Sequence, residues 1–380
     1  MSPSQALPDH IVHSHTDVVG SLLRPDWLLR ARRQRATTEI SDAEFAAIED
    51  RAVDEAVAMQ EEAGLAVVSD GEMRRLSFQS QLPEAVDGFG EFDLDAFLWG
   101  DWTGDDETGD RRVERPRTLG VIDKLRRRRY LCADEFSYLK GITERIPKVN
   151  LPSPSLFANF WSQEHSSHVY PSLDSFLADV VQILSEEVSE LIRLGATYIQ
   201  LDAPHYPLLL DANTRAFYES RGWTLDRWLS TGIELDNAVI GDFSSDITFS
   251  MHLCRGNQQS RWLVEGGYDK IARQIFQNVK VHRLLLEYDD DRSGSFEPLR
   301  LIPEDKMVVL GLVSTKTGNL ESKSNLIERV REASRFFPAN QLAISPQCGF
   351  ASSIVGNRLS VNEQQAKLRL VADVPAEVWG

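Results

Sequence analysis

The residues best suited to chemistry in this chain are His252 and Cys254, inside Ser250-Met251-His252-Leu253-Cys254-Arg255-Gly256-Asn257. The run before them, Ile247-Thr248-Phe249, is β-branched and apolar, and the residues after them cannot continue a strand. Side chains on a strand alternate between faces, so two residues spaced this way share a face and can reach one ion. An imidazole beside a thiolate suits zinc, a borderline-soft ion held in tetrahedral nitrogen and sulfur sites. Alone, the pair also fits a core histidine next to a buried cysteine, so the reading waits on further ligands.

The rest of the chain supplies a scaffold of alternating strands and helices. Ser41-x-x-Glu44 is a capping box opening a helix whose apolar positions run Phe45, Ile48, Ala52, Ala56 and Met59, with Gly64 placed to stop it. Leu65 to Val68 is a short apolar run of the kind found in buried parallel strands, ending in Asp70-Gly71-Glu72. The strongest helical pattern spans 173–194 and is closed by Gly195. Further helices are expected near 211–220, 224–237, 268–281 and 322–335. Eight strands are expected, near 11–20, 66–70, 147–152, 197–202, 247–254, 283–287, 307–313 and 342–347. Eight such units predict an α/β fold of the (β/α)8 TIM-barrel type, with 1–380 as one catalytic barrel.

Residues 73–146 break the rhythm and read as an insertion after the second strand. An acidic and aromatic part (Phe92, Trp99, Asp101, Trp102, Asp105, Asp106) precedes a basic patch, Arg126 to Arg129. Both charge runs fit a solvated surface; a lid that keeps water from a site is the functional alternative.

In a barrel of this kind chemistry gathers at the C-terminal ends of the strands. The polar residues there are Ser21, Asp70, Glu72, Asp202, His252, Cys254, Glu287 and Cys348. Glu287 and Cys348 complete a four-ligand set with His252 and Cys254, and Zn2+ is the expected cofactor. Glu287 alone could equally be a salt-bridged carboxylate, with Asp289, Asp290 and Asp291 beside it; it is preferred as the first acid after Leu284-Leu285-Leu286. Two thiolates and a carboxylate leave zinc little residual charge, so it would activate water poorly. It would serve better to hold a substrate thiol as thiolate, and a thiol alkylated on the metal is the expected chemistry.

Composition narrows the partners. A chain of 380 residues with a formal charge of −17 is a poor match for nucleic acid or an anionic membrane, which call for a basic footprint. No apolar run approaches the roughly 20 residues of a membrane span. Met1 to His10 has no signal-peptide pattern. Cys132, Cys254 and Cys348 are too few and scattered for a disulfide framework, which points to the cytoplasm. No dinucleotide fingerprint or P-loop is present.

Taken together, Val19-Gly20-Ser21, Val68-Ser69-Asp70-Gly71-Glu72, Tyr198-Ile199-Gln200-Leu201-Asp202, His252-Leu253-Cys254, Leu286-Glu287 and Ser345-Pro346-Gln347-Cys348-Gly349 resemble the catalytic barrel of cobalamin-independent methionine synthase and its short, single-barrel relatives. In that family a homocysteine thiol held on zinc takes a methyl group from a methyl-tetrahydrofolate. The resemblance implies His252, Cys254, Glu287 and Cys348 as zinc ligands. It puts Ser21, Glu72 and Asp202 where the amino and carboxylate groups of homocysteine are held. Three departures stand out: the additional N-terminal barrel of full-length members is missing, Val313 replaces a strand-end histidine that protonates the leaving folate, and Asp202-Ala203 replaces an Asp-Glu pair. His205 is then the candidate proton donor, although a lone loop histidine also fits a surface position. A second reading resembles epoxyalkane:coenzyme M transferase, in which a thiolate on zinc opens an epoxide; Arg255, Lys316 and His205 would be available to hold the sulfonate and protonate the alkoxide. Either way the partners are a small-molecule thiol and an alkyl donor.

Overall fold

The structure, a computed structural model, describes residues 11–91, 102–104, 119–220, 222–242 and 246–380. Phe92, Trp99, Asp101, Asp105 and Asp106 lie outside the described residues.

Ten strands are present among them: β1 (Val67–Val68), β2 (Val86–Glu91), β3 (Leu119–Arg127), β4 (Ile146–Pro147), β5 (Val149–Pro152), β6 (Tyr198–Asp202), β7 (Thr248–Leu253), β8 (Arg283–Glu287), β9 (Met307–Val313) and β10 (Leu342–Pro346). Six form a parallel sheet in the order β10-β9-β8-β7-β6-β5. Only Lys148 separates β4 from β5, and β4 pairs in parallel with β1. Parallel strands need long crossovers, and helices Leu173–Arg193, Leu225–Ile240, Asp269–Asn278 and Lys323–Ala333 supply them. The capping box of Ser41 and Glu44 is formed, and Gly64 ends its helix at φ 91°. A last helix, Val361–Asp373, starts with its own capping box, Ser360 and Glu363.

The strand expected over 11–20 is instead one parallel bridge, Thr16 to Ile344 on β10, extended by Asp17 N–H donating to Ile344 O at 3.0 Å. Toward β1 the same stretch is tied by Leu22 N–H to Gly71 O at 3.0 Å and by Ser69 Oγ–H to Gly20 O at 2.6 Å. The region expected as an insertion contains the antiparallel hairpin β2–β3 and the helix Ala133–Ile142. Arg127 and Arg128 of its basic patch pair with Glu186 and Asp87 at the surface.

Alternation along the strands separates two faces. Leu151, Leu201, Met251, Leu284, Leu310 and Ile344 join the large core under the helices. Their neighbours point the other way, where Val19, Leu285, Met307, Val309 and Ala343 form a smaller cluster. That inner face also carries a fully buried ion group. Asp17 Oδ1 pairs with Lys148 Nζ at 2.9 Å, Oδ2 with Arg283 Nη2 at 3.1 Å, and Oδ2 accepts from the Tyr198 hydroxyl at 2.6 Å. Asp17 hangs from β10 while Lys148 leads into β5, so one carboxylate joins the two edges of the six-stranded sheet. The sheet must therefore curl round it.

Removing one member of a buried ion group strands the others without a counter-charge. Asp17→Asn should lower the unfolding free energy by about 3–5 kcal/mol in equilibrium urea titration; an unchanged midpoint would show that the group does not hold the curvature.

Candidate metal centre and adjoining cavity

His252 and Cys254 leave the end of β7 on one side, Glu287 ends β8, and Cys348 follows β10. One ligand atom from each of the four lies within 4.8 Å of all the others, and all four residues are buried. The two sulfurs are 3.4 Å apart. Both ring nitrogens of His252 and both carboxylate oxygens of Glu287 are buried with no hydrogen-bond partner among the described residues. Buried polar atoms in that state are costly unless something binds them. A tetrahedral zinc with bonds of about 2.3 Å to sulfur spaces two sulfurs by about 3.8 Å, so the set needs little adjustment to take such an ion.

The electrostatics agree. Burial opposes a charge on His252, but Cys348, Asp202 and Glu287 outweigh it and raise its pKa. Burial, then Cys348, raises Glu287. The Cys254 contact, with help from His252, holds the Cys348 thiol well below its ordinary range, while the same contact pushes Cys254 well above. Two thiols and a carboxylate thus oppose one another's ionisation beside an imidazole in a dry space, and a bound cation would relieve that opposition.

Neighbouring groups hold these ligands through both backbone and side chain: Gly256 N–H donates to Cys254 Sγ at 3.3 Å, and Arg255 Nη1 lies 3.9 Å from Glu287 Oε2. Tyr268 OH accepts from Glu287 N–H at 2.9 Å, and Arg255 Nη1 donates to Glu287 O at 3.1 Å. Asn257 Nδ2 donates to Gly349 O at 2.6 Å, and Lys316 Nζ reaches Asn257 Oδ1 at 3.1 Å, which ties the loops after β7, β9 and β10 together.

The centre forms part of the floor of a cavity of about 720 Å3. Ser21, Glu72 and Asp202 share that floor with His252, Cys254 and Cys348. Asp202 is the register partner of His252 across β6 and β7. Burial raises the pKa of Asp202 to about 6 against the pull of His252, Gln200 and Lys148, with Cys348 adding least. Burial lifts Glu72 to about 7, with Asp202 adding to it and Arg75 opposing. Glu72 stands in the left-handed region at φ 54°, held there by Asp70 Oδ1 on its N–H and Arg24 Nη2 on its carbonyl. Such strain is kept where a side chain must be aimed. Gly349 has no Cβ for a reason: one would sit 2.0 Å from Ser21 Oγ.

The opposite wall is apolar, with Phe78, Trp102, Phe160, Leu208 and Leu263. Trp102 is delivered by the 73–146 segment, whose Thr103 forms an antiparallel bridge with Trp262. No lysine or arginine lines the cavity among the described residues.

His205 does not join this site. It is buried behind the wall, packed on Tyr206 and Trp228, with Nε2 2.7 Å from Ser155 Oγ. Burial lowers its pKa to about 3, so it stays neutral, and it is absent from the cavity lining. The chain around it turns into the helix His205–Leu208, which swings the ring inward rather than to the surface. Arg255 and Lys316 also stay out of the lining, committed to Gly266 O and Tyr268, and to Gly256 O and Asn257. Asn150 also lines the cavity, and nothing in the sequence marks it, because it sits inside an ordinary strand pattern.

Residues 15–375 match the family described as cobalamin-independent synthase, catalytic domain. A Bacillus subtilis protein, uncharacterized protein YxjG, is 35% identical over 366 residues, covering 96% of this chain and 94% of its own. A methionine synthase of Pyrococcus abyssi is 25% identical, covering 88% and 85%. In fold, the chain is similar to a B12-independent methionine synthase from Shewanella solved in complex with selenomethionine, at a TM-score of 0.71 and 20% identity over 98% of both chains.

If the four donors hold one ion, purified protein should bind a single equivalent of Zn2+ or of Co2+ as a coloured probe. Cys348→Ser should weaken that binding by more than the roughly 10–100-fold seen for loss of a mere outer partner. Undiminished binding would remove Cys348 from the centre.

Proposed function

This chain belongs to the family of cobalamin-independent synthase catalytic domains, and from that premise we propose that it transfers a methyl group to the thiol of a small amino-acid substrate, homocysteine or a close relative. Methyl transfer to a thiol is the family's business. The observation that supports an amino-acid thiol is the floor of the cavity, where Glu72 and Asp202 stand beside the candidate metal donors and no lysine or arginine lines the wall among the described residues. Two carboxylates in a dry pocket suit an ammonium group. A thiol bearing a sulfonate would meet them with like charge, which disfavours the epoxide-opening reading.

In this reading His252, Cys254, Glu287 and Cys348 hold zinc, and zinc bound there would lower the pKa of the substrate thiol and keep it as thiolate. Glu72 and Asp202 grip the ammonium group, and the Ser21 hydroxyl donates to the substrate carboxylate. Phe78, Trp102 and Phe160 give the alkyl donor an apolar, aromatic wall. We also read residues 73–146 as a lid, since that segment contributes Trp102 and Leu119 to the cavity, and the eight β/α units as closing into a (β/α)8 barrel around Asp17. The free, buried thiols suit the cytoplasm.

Zinc-loaded protein should consume homocysteine when given methyl-tetrahydrofolate or methylcobalamin, and should leave coenzyme M untouched in the presence of epoxypropane. The reverse outcome would replace this reading. Glu72 adds a pH test: because its pKa is raised, its ionised fraction grows as pH rises, so KM for the amino thiol should fall between roughly pH 6 and 8, the interval around that value. Glu72→Gln should flatten that profile and raise KM by the equivalent of about 2–5 kcal/mol, the loss expected for one partner of a buried charge pair.

A further inference from the structure

Beneath the two carboxylates, two side-chain amides converge on a single carbonyl. Gln200 Nε2 donates to Val19 O at 2.8 Å and Asn150 Nδ2 donates to the same oxygen at 2.6 Å. Each amide then reaches one carboxylate: Gln200 Nε2 to Asp202 Oδ1 at 2.7 Å, Asn150 Nδ2 to Glu72 Oε1 at 3.4 Å. Gly20 leaves room for this arrangement, since a Cβ there would lie 2.1 Å from Asn150 Nδ2.

An amide has two ends, and only one orientation helps a carboxylate. Lys148 decides which. Its ammonium has donors and no acceptor, so the Gln200 atom it meets at 2.8 Å must be the carbonyl Oε1. Lys148 is itself fixed by Asp17 and by Val18 O, with every group fully buried. Gln200 therefore cannot turn over, and its NH2 always faces Asp202. With Oδ1 spoken for, the second carboxylate oxygen of Asp202 is the one available to the cavity.

We propose that Gln200, oriented by Lys148, is a positioning residue that sets the affinity of Asp202 for the ammonium group of the substrate, with Asn150 serving Glu72 in the same way. This rests on the reading of an amino-acid thiol given above. The pair discriminates by the amino group, so it governs which thiols bind rather than how fast a bound thiol is alkylated.

The test compares homocysteine with the same thiol lacking its amino group, in zinc-loaded protein. Gln200→Met keeps the length and removes both amide functions. It should raise KM and the calorimetric Kd for homocysteine about tenfold or more while kcat moves less than about threefold, as expected for a displaced binding group. The des-amino thiol should bind the variant and the parent equally. Asn150→Ser, at the cavity wall, should show the same split and carries the test if Gln200→Met does not fold, which circular dichroism and zinc content report. Equal losses for the two thiols, or none, in a folded variant overturn the inference alone. Failure of the parent protein to bind either thiol overturns the functional reading and this inference with it.

Discussion

The arrangement turns on one buried carboxylate. Asp17 is attached to β10 through its backbone, yet its side chain reaches Lys148 before β5, Arg283 on β8 and Tyr198 on β6. Burial would raise its pKa, but Lys148 and Arg283 outweigh burial and hold it low, so it remains an anion. Buried ions add little net stability compared with apolar packing. What they add here is definition: few arrangements satisfy one anion and two cations at once, and that arrangement fixes where Lys148 points. From Lys148 the constraint passes through Gln200 to Asp202, which sits in register with His252. The support of the fold and the aim of the site are one hydrogen-bonded chain.

That chain explains how donors separated by long spans of sequence come to share a space 4.8 Å across. Parallel strands in register bring their C-terminal ends to one level, and each end releases its side chain into the same space. The loops beyond are then locked to each other by Asn257, Lys316 and Gly349, so the sulfur of Cys348 is held against Cys254 by contacts on either side.

Much of this was legible in the sequence. The His252–Cys254 spacing places both side chains on one strand face, and Glu287 and Cys348 stand where their strands end. The capping boxes and glycine stops mark helices as expected. The first strand was not legible as it is: residues 11–20 look β-rich, yet their polar atoms serve Asp17 and the inner face instead of a ladder, leaving one bridge to Ile344. The hairpin β2–β3 hides behind Gly88, Gly90 and a charged outer face, so its period of two is weak. His205 shows the limit of reading a residue by type. In sequence it is a polar residue after a strand; in three dimensions one helical turn carries it behind the wall. The roles of the amides Asn150 and Gln200 are not legible in the sequence, because they sit inside strands, where an inward polar residue looks like a lapse in pattern until its partners are known.

The cavity joins two kinds of surface that sequence alone kept apart. Its floor of carboxylates, hydroxyl and metal donors comes from the strand ends; its apolar wall comes partly from the segment that interrupts the α/β rhythm, through Trp102. The methyl transfer proposed above, to a charged amino-acid thiol, would use both. In the proposed reaction the floor would order the nucleophile with few degrees of freedom, and the wall would exclude water that solvates the thiolate and lowers its reactivity. Within that segment Thr103 forms a backbone bridge with Trp262, in the loop that follows Cys254. The segment that weakens the repeat pattern thus contributes to the lining of the cavity, through Trp102 and Leu119 among others.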